Sequence, residues 1–304
     1  MAKRVLMFVI TNIAVLLIFS IIMRLFNIGP MLSQHGLNYT ALLIYSAVFG
    51  FLGSFVSLFL SKMMAKMTMG VQIVERSQAS GDAAWVISTV ENLANNVGIR
   101  MPEVGIYDSP EPNAFATGWN RNNALVAVST GLLRAMSRDE IEAVLGHEIS
   151  HVANGDMVTL TLIQGILNTF VLFFARVAAF FVSQALSRDE NNQPGFLNNM
   201  VFFLVEIAFQ IVFGILASII VMWFSRFREY RADAGSAKLL GSSKMIQALR
   251  RLQQMQDTPP DNRAPSFEAM KIAGHKRSGF LALLASHPPL EDRIKALENR
   301  TTGQ

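Results

Sequence analysis

The alternation of apolar and polar stretches divides the chain into membrane and aqueous parts. Four runs carry no charge: Val5 to Met23, Ala41 to Ser61, Met157 to Ala175 and Ile207 to Ser225. Each is long enough to cross a hydrocarbon core of about 30 Å as a helix. The first run is a poor signal peptide, being long, without a small-residue cleavage site, and followed by another span. Between the second and third runs the pattern changes. Ala84 to Val97 has the period of an amphipathic helix. Three short β-rich runs follow, at Glu103 to Tyr107, Asn113 to Trp119 and Ala124 to Ser129, separated by the turn signals DSPEPN and NRNN. Ser137 and Glu140 form a capping-box signature that opens a helix over IEAVLGHEISHVAN. Beyond the fourth run, SRFREYRADAGSAKLLG predicts a helix ending at Gly241, then a second from Ser243 to Gln256. The proline-bearing stretch 257–279 reads as a loop, and SHPPLEDRIKALENR as a helix started by proline.

Composition agrees with this division. Hydrophobic residues make up 51% of the 304 positions and charged ones only 16%, which argues against a wholly soluble enzyme, a secreted mini-protein or a disordered tail. With no cysteine, a disulfide framework, a thiol nucleophile and a cysteine-ligated metal are excluded. The net charge of +4 is spread along the chain, without the basic stripe of a nucleic-acid-binding protein. Lys3, Arg4, Lys62, Lys66, Arg226, Arg228 and Arg231 flank one side of the runs, with Arg24 the dissenter. The positive-inside rule then places both termini and both long polar segments in the cytoplasm. The expected fold is an α+β membrane protein: four transmembrane helices and a mainly helical cytosolic domain with a small β-sheet. Its expected parts are an N-terminal hairpin (1–61), the first half of the cytosolic domain (62–156), an inserted hairpin (157–225) and the second half (226–304). Arg176 and Glu206 stand at similar depth on the inserted hairpin; either they pair or each reaches interfacial water.

The chemistry centres on His147-Glu148-Ile149-Ser150-His151. On a helix, residues i and i+4 share a face, so both imidazoles reach one ion while the glutamate lies beside it. That is the H-E-x-x-H pattern of two zinc ligands and a general base. A catalytic zinc needs a third protein ligand, and Asn154 and Met157 stand where the metzincin extension would have glycine and histidine. The candidates are Asp156, Glu229, His275 and His287. Glu229 is the strongest, because it opens Glu229-Tyr-Arg-Ala-Asp233 on a helix and Asp233, on the same face, can hold a ligating histidine. Asp156 reads better as a cap on the third span, and His275 as a solvent-facing loop residue; His35 lies on the outer loop. His287, fixed in an extended conformation by Pro288, is able to project into a cleft. Asn113, Ala114, Phe115 and Ala116 form a strand whose edge suits pairing with an extended substrate. His151 is six residues from Met157 and Glu229 four from Ser225, about 9 Å and 6 Å of helix. The ligands are therefore expected close under the membrane face, unless Asn154-Gly155 kinks the first arm.

HEISHVANGD, then FREYRADAGSA, then SHPPLEDRI resemble the HtpX-type membrane zinc metalloproteases, bacterial relatives of the eukaryotic CAAX prenyl protease. The resemblance extends over nearly the whole chain, through paired N-terminal spans, NAFATG, an inserted hairpin and the final H-P-P. It implies a zincin-type protease domain with one zinc ion per subunit, held by His147, His151 and Glu229, with Glu148 as the base. It further implies that Asp233 supports the ligands, steadied by Arg293, and that His287 donates near the reaction centre. A protease of the bacterial inner membrane follows, acting on misfolded membrane proteins and unfolded polypeptides in quality control and stress response. Neither nucleic acid nor a particular oligomeric state is implied. Two rival readings are a prenyl-peptide processing protease of narrow specificity and a membrane scaffold with a structural metal; the second gives Glu148 no task.

Overall fold

The computed structural model describes residues 37–186, 196–255, 283 and 285–302. The first apolar run, the loop 188–195, the stretch 257–279, His35 and His275 lie outside them. The described elements are α1 (Tyr39–Met69), β1 (Gln72–Ile73), α2 (Gly81–Val97), β2 (Glu103–Tyr107), β3 (Ala114–Asn120), β4 (Asn123–Ser129), α3 (Thr130–Ala135), α4 (Arg138–Asn154), α5 (Asp156–Leu186), α6 (Phe196–Leu240), α7 (Ser242–Gln254) and α8 (Leu290–Thr302). The chain divides into two compact units, Met1–Phe55 with Thr161–Ser218, and Val56–Leu160 with Ile219–Gln304.

Among the described residues three helices, α1, α5 and α6, have the length and hydropathy to cross a membrane. The apolar residues 177–186 and 196–205 are part of α5 and α6. In the first unit, small residues bring helices together, as expected where lipid removes the hydrophobic drive for association. Ser46, Gly50 and Ser54 recur every fourth residue of α1. A Cβ on Gly50 would lie 2.6 Å from the Thr169 backbone nitrogen, and Asn168 donates to Ser54 Oγ at 3.2 Å. Arg176 reaches Glu206 at 3.9 Å and lies 5.5 Å from the Tyr45 ring centroid, so the pairing alternative is the one found.

The second unit is built on a four-stranded sheet of order β1-β2-β4-β3. The three β-rich runs form β2, β3 and β4; the two-residue β1 is too short to leave a pattern. Alternation sets the two faces. Val104, Ala114, Val126 and Val128 join Val86, Val90 and Leu93 of α2 and Val144, Leu145 and Ile149 of α4. Tyr107, Phe115, Leu125 and Ala127 meet Ala65 of α1 and Val71 just beyond its end. The strand begins one residue later than expected: Asn113 precedes β3, buried, with its N–H on Ser129 Oγ. β3 ends the sheet, paired with β4.

Helix α4 starts where the capping box places it, with Ser137 Oγ accepting from Glu140 N and Glu140 returning to Ser137 N. It packs on α6 through two glycine–serine pairs. A Cβ on Gly146 would lie 2.9 Å from Ser236 Oγ, and one on Gly235 would lie 2.4 Å from Ser150 Oγ. The Ser236 hydroxyl donates to the Ala143 carbonyl at 2.7 Å across the same contact. Gly235→Ala should therefore cost about 1–3 kcal/mol through overpacking. Denaturant unfolding should show Ser150→Gly to be less harmful in that background than alone; equal cost in both would mean that the two residues do not oppose each other.

Candidate metalloprotease site

Two helices carry the site. His147 and His151 lie one turn apart on α4 with Glu148 directly after His147, and Glu229 and Asp233 lie one turn apart on α6. The interlocked glycines let the two backbones approach closely enough for short side chains to meet. One ligand atom from each of His147, His151 and Glu229 falls within 4.8 Å of the others. His147 Nε2 is 3.1 Å from His151 Nε2. Glu229 Oε2 is 3.4 Å from the first, and Oε1 is 3.2 Å from the second.

The other ring nitrogens explain which tautomers are present. His147 Nδ1 faces Asp233 Oδ1 at 2.9 Å, and His151 Nδ1 faces Asp156 Oδ2 at 2.7 Å. A carboxylate accepts only, so each Nδ1 carries hydrogen, and in the metal-binding form each Nε2 presents a lone pair. Two lone pairs and a carboxylate converge on one point, out of water. That arrangement is repulsive by itself and suits a cation; tetrahedral bonds of about 2.0–2.1 Å put ligands about 3.4 Å apart, close to the spacings found. The residues fit a divalent metal.

Arg293 holds the arrangement from α8. Fully buried, it donates from Nε to Asp233 Oδ2 at 2.8 Å and from Nη2 to Asp233 Oδ1 at 2.6 Å, a two-point grip that only guanidinium supplies. Burial alone would favour its neutral form, and the Asp233 carboxylate overrides this, raising its pKa. His287 Nδ1 lies 2.8 Å from Glu229 Oε2. The segment bearing it is tied to α6 by Arg226, which donates to the carbonyls of Leu283 and Ala285 at 3.0 and 2.9 Å. Glu229 therefore does not pair with Arg226; its neighbours are imidazoles and Arg293 Nη1 at 3.5 Å. Glu148 is buried, and burial pushes its carboxyl up, opposed by the histidines beside it.

Asp156 is placed differently from the sequence expectation. It does open α5, but its carboxylate also supports His151. Gly155 makes this reachable: it ends α4 with φ +67°, its N–H returning to the His151 and Val152 carbonyls, and so breaks the first arm as Asn154-Gly155 suggested. The left-handed turn swings Asp156 back over the preceding turn. The triplet Asn-Gly-Asp after the second histidine was the available signal.

A sequence model of peptidase family M48 matches residues 80–301, a span that includes every element of the site. The chain belongs to peptidase family M48. Its relatives include Protease HtpX of Hahella chejuensis, 53% identical over 97% of this chain and 98% of that protein, and Protease HtpX of Nitrosococcus oceani, 54% identical over 98% and 99%. In fold it resembles the crystal structure of S. mikatae Ste24p, with a TM-score of 0.57 and 20% identity, over 95% of this chain and 67% of that one. The HtpX-type resemblance thus extends over nearly the full length, and the protein is a membrane metalloprotease acting on peptide bonds.

The supporting carboxylates provide a test. Asp233→Asn and Asp156→Asn each replace an acceptor-only carboxylate with a neutral amide that can also donate, so the imidazole tautomer is no longer fixed, and metal affinity should fall about 10–100-fold in each. Competition against a chromophoric chelator measures this; unchanged affinity in both would mean that the carboxylates do not orient the ligands.

Proposed function

We propose that this M48 protein is a zinc-dependent endopeptidase of the bacterial inner membrane that cleaves misfolded membrane proteins and unfolded polypeptides at the cytoplasmic face. In this reading one zinc ion per polypeptide is held by His147, His151 and Glu229. The observation that carries it is the convergence of the two imidazole Nε2 atoms and the Glu229 carboxylate, 3.1–3.4 Å apart, with a second carboxyl, Glu148, buried next to them. A structural site would give that carboxyl no task. When bound, zinc supplies Lewis-acid activation of water and of the scissile carbonyl.

The remaining steps belong to the chain. Glu148 takes the proton of the attacking water and returns it to the leaving amine; its burial-raised pKa brings it nearer to neutrality, where one group performs both tasks well. His287 donates to the carbonyl oxygen as charge develops there, on a segment fastened by Arg226. Asp233 and Asp156 hold the imidazoles, and Arg293 holds Asp233. The strand Ala114–Ala116, with Asn113 before it, accepts an extended substrate along the sheet edge.

Four spans are proposed, α1, α5 and α6 together with Val5–Met23, with the domain organisation 1–61, 62–156, 157–225 and 226–304. Lys62 and Lys66 in the last two turns of α1, and Arg226, Arg228 and Arg231 on α6, support a cytoplasmic position for the site and both termini. Glu229 lies four residues beyond Ser225 on one unbroken helix, which supports a site near the cytoplasmic membrane surface, where partly extracted membrane proteins pass.

Glu148→Gln keeps the ligands and removes the base. The variant should retain zinc yet lose at least about a hundredfold in the hydrolysis of casein by detergent-purified protein. Equal cleavage by wild type and variant would refute the role of Glu148; zinc in both with cleavage by neither would return the prenyl-peptide or structural-metal reading.

A further inference from the structure

The end of the β3–β4 hairpin takes no part in either core cluster and presents aromatic surface instead. Trp119 is 42% exposed and Phe59 of α1 is 66% exposed, although their rings lie 6.2 Å apart. The pairing register shifts between Gly118 and Asn120, a bulge that re-aims the residue within it. Gly118 has φ +142°, and a Cβ there would lie 2.3 Å from the Asn123 carbonyl, so the bulge requires glycine and turns Trp119 outward. Two contacts, one helical turn apart, fasten this end to α1: the Phe59 ring against Trp119, and Lys62 Nζ donating to Asn123 Oδ1 at 2.8 Å.

The depth of that attachment follows from α1 itself. Its uncharged run ends at Ser61, and Lys62 is the first charge. Phe59 therefore lies in the last apolar turn of a membrane-spanning helix, at the boundary where tryptophan concentrates with its ring in hydrocarbon and its N–H among headgroups. The exposed face continues along α1 through Phe55 and Met63, which is lipid-facing surface. The turn that follows, Asn120-Arg121-Asn122-Asn123, holds one cation and no acid, compatible with phosphates.

We propose that the bulged end of the β3–β4 hairpin is itself a membrane contact, with Trp119 seated in the headgroup–acyl boundary of the phospholipid bilayer beside α1. The edge strand β3 is then held at the bilayer surface by its own C-terminal end as well as by that end's attachment to α1.

The cysteine-free chain makes the test direct. Asn122→Cys, spin-labelled in phospholipid nanodiscs, should collide with a soluble nickel chelate several-fold less than a label at Asp139→Cys, an exposed position at the far end of α4 (side chain 68% exposed). In a second chain with Trp85→Phe and Trp223→Phe, the remaining Trp119 should emit at shorter wavelength than free indole. Lipids brominated high on the acyl chain should quench it, and acrylamide should quench it little. Equal nickel access at 122 and 139, or full acrylamide quenching without bromolipid quenching, overturns the proposal. An indole shielded from both quenchers also overturns it, because the occupant would then be protein. The labelled Asn122→Cys chain keeps all three tryptophans and decides the question by itself if the double phenylalanine variant does not fold.

Discussion

Everything in the second unit depends on an electrostatic constraint: buried carboxylates and imidazole lone pairs must be held close together without water. Glu148, Asp156, Glu229 and Asp233 are all buried around His147 and His151, and Arg293 is the guanidinium that reaches Glu229 and Asp233. Uncompensated buried charge is among the most expensive features a fold can carry. Here it is tolerated because nearly every group has a defined partner: Arg293 grips Asp233, Asp233 and Asp156 take the imidazole N–H groups, and the remaining lone pairs converge where a divalent cation fits.

Holding that cluster requires rigid supports at sub-ångström tolerance. The glycine–serine interlock fixes the spacing between α4 and α6, and the capping box fixes where α4 begins. The sheet and α2 brace one side of α4, while α7 and α8 close the other, with Leu249, Ile294 and Leu297 buried in the same core. The segment with His287 is drawn in by Arg226 on α6, one turn before Glu229. The ligand-bearing helix α6 is also the longest membrane-type helix among the described residues, so the site's third ligand is mounted on a span, while the first two are mounted on a soluble helix that ends at Gly155.

Much of this was legible in the residues, and the exceptions have physical causes. Strong periodicity and charge-free runs reveal α1, α2, α4, α5 and α6 because each is a local pattern repeated over several turns. The H-E-x-x-H pentapeptide and the Glu229–Asp233 spacing point to the ligands because i and i+4 define a helix face. Asp156 opens its span as its position suggests, but its second role, at His151 Nδ1, is not legible because it depends on one left-handed residue, Gly155, whose effect is to reverse the chain locally. The Arg226 tether was not foreseen, since it joins a side chain to backbone carbonyls about sixty positions away, and no sequence pattern encodes that. The interlock of Gly146, Ser150, Gly235 and Ser236 is of the same kind: small residues look unremarkable until two helices are placed together. Strand β1, at two residues, is too short to have a period at all.

The central claim is that His147, His151 and Glu229 form one metal site and that zinc occupies it. Elemental mass spectrometry of the detergent-purified chain measures this most directly, run beside a His147→Ala/His151→Ala double variant of matched fold content. One zinc per polypeptide in the wild type and none in the variant is the predicted result. A wild type without zinc, or a double variant that retains it, would contradict the account.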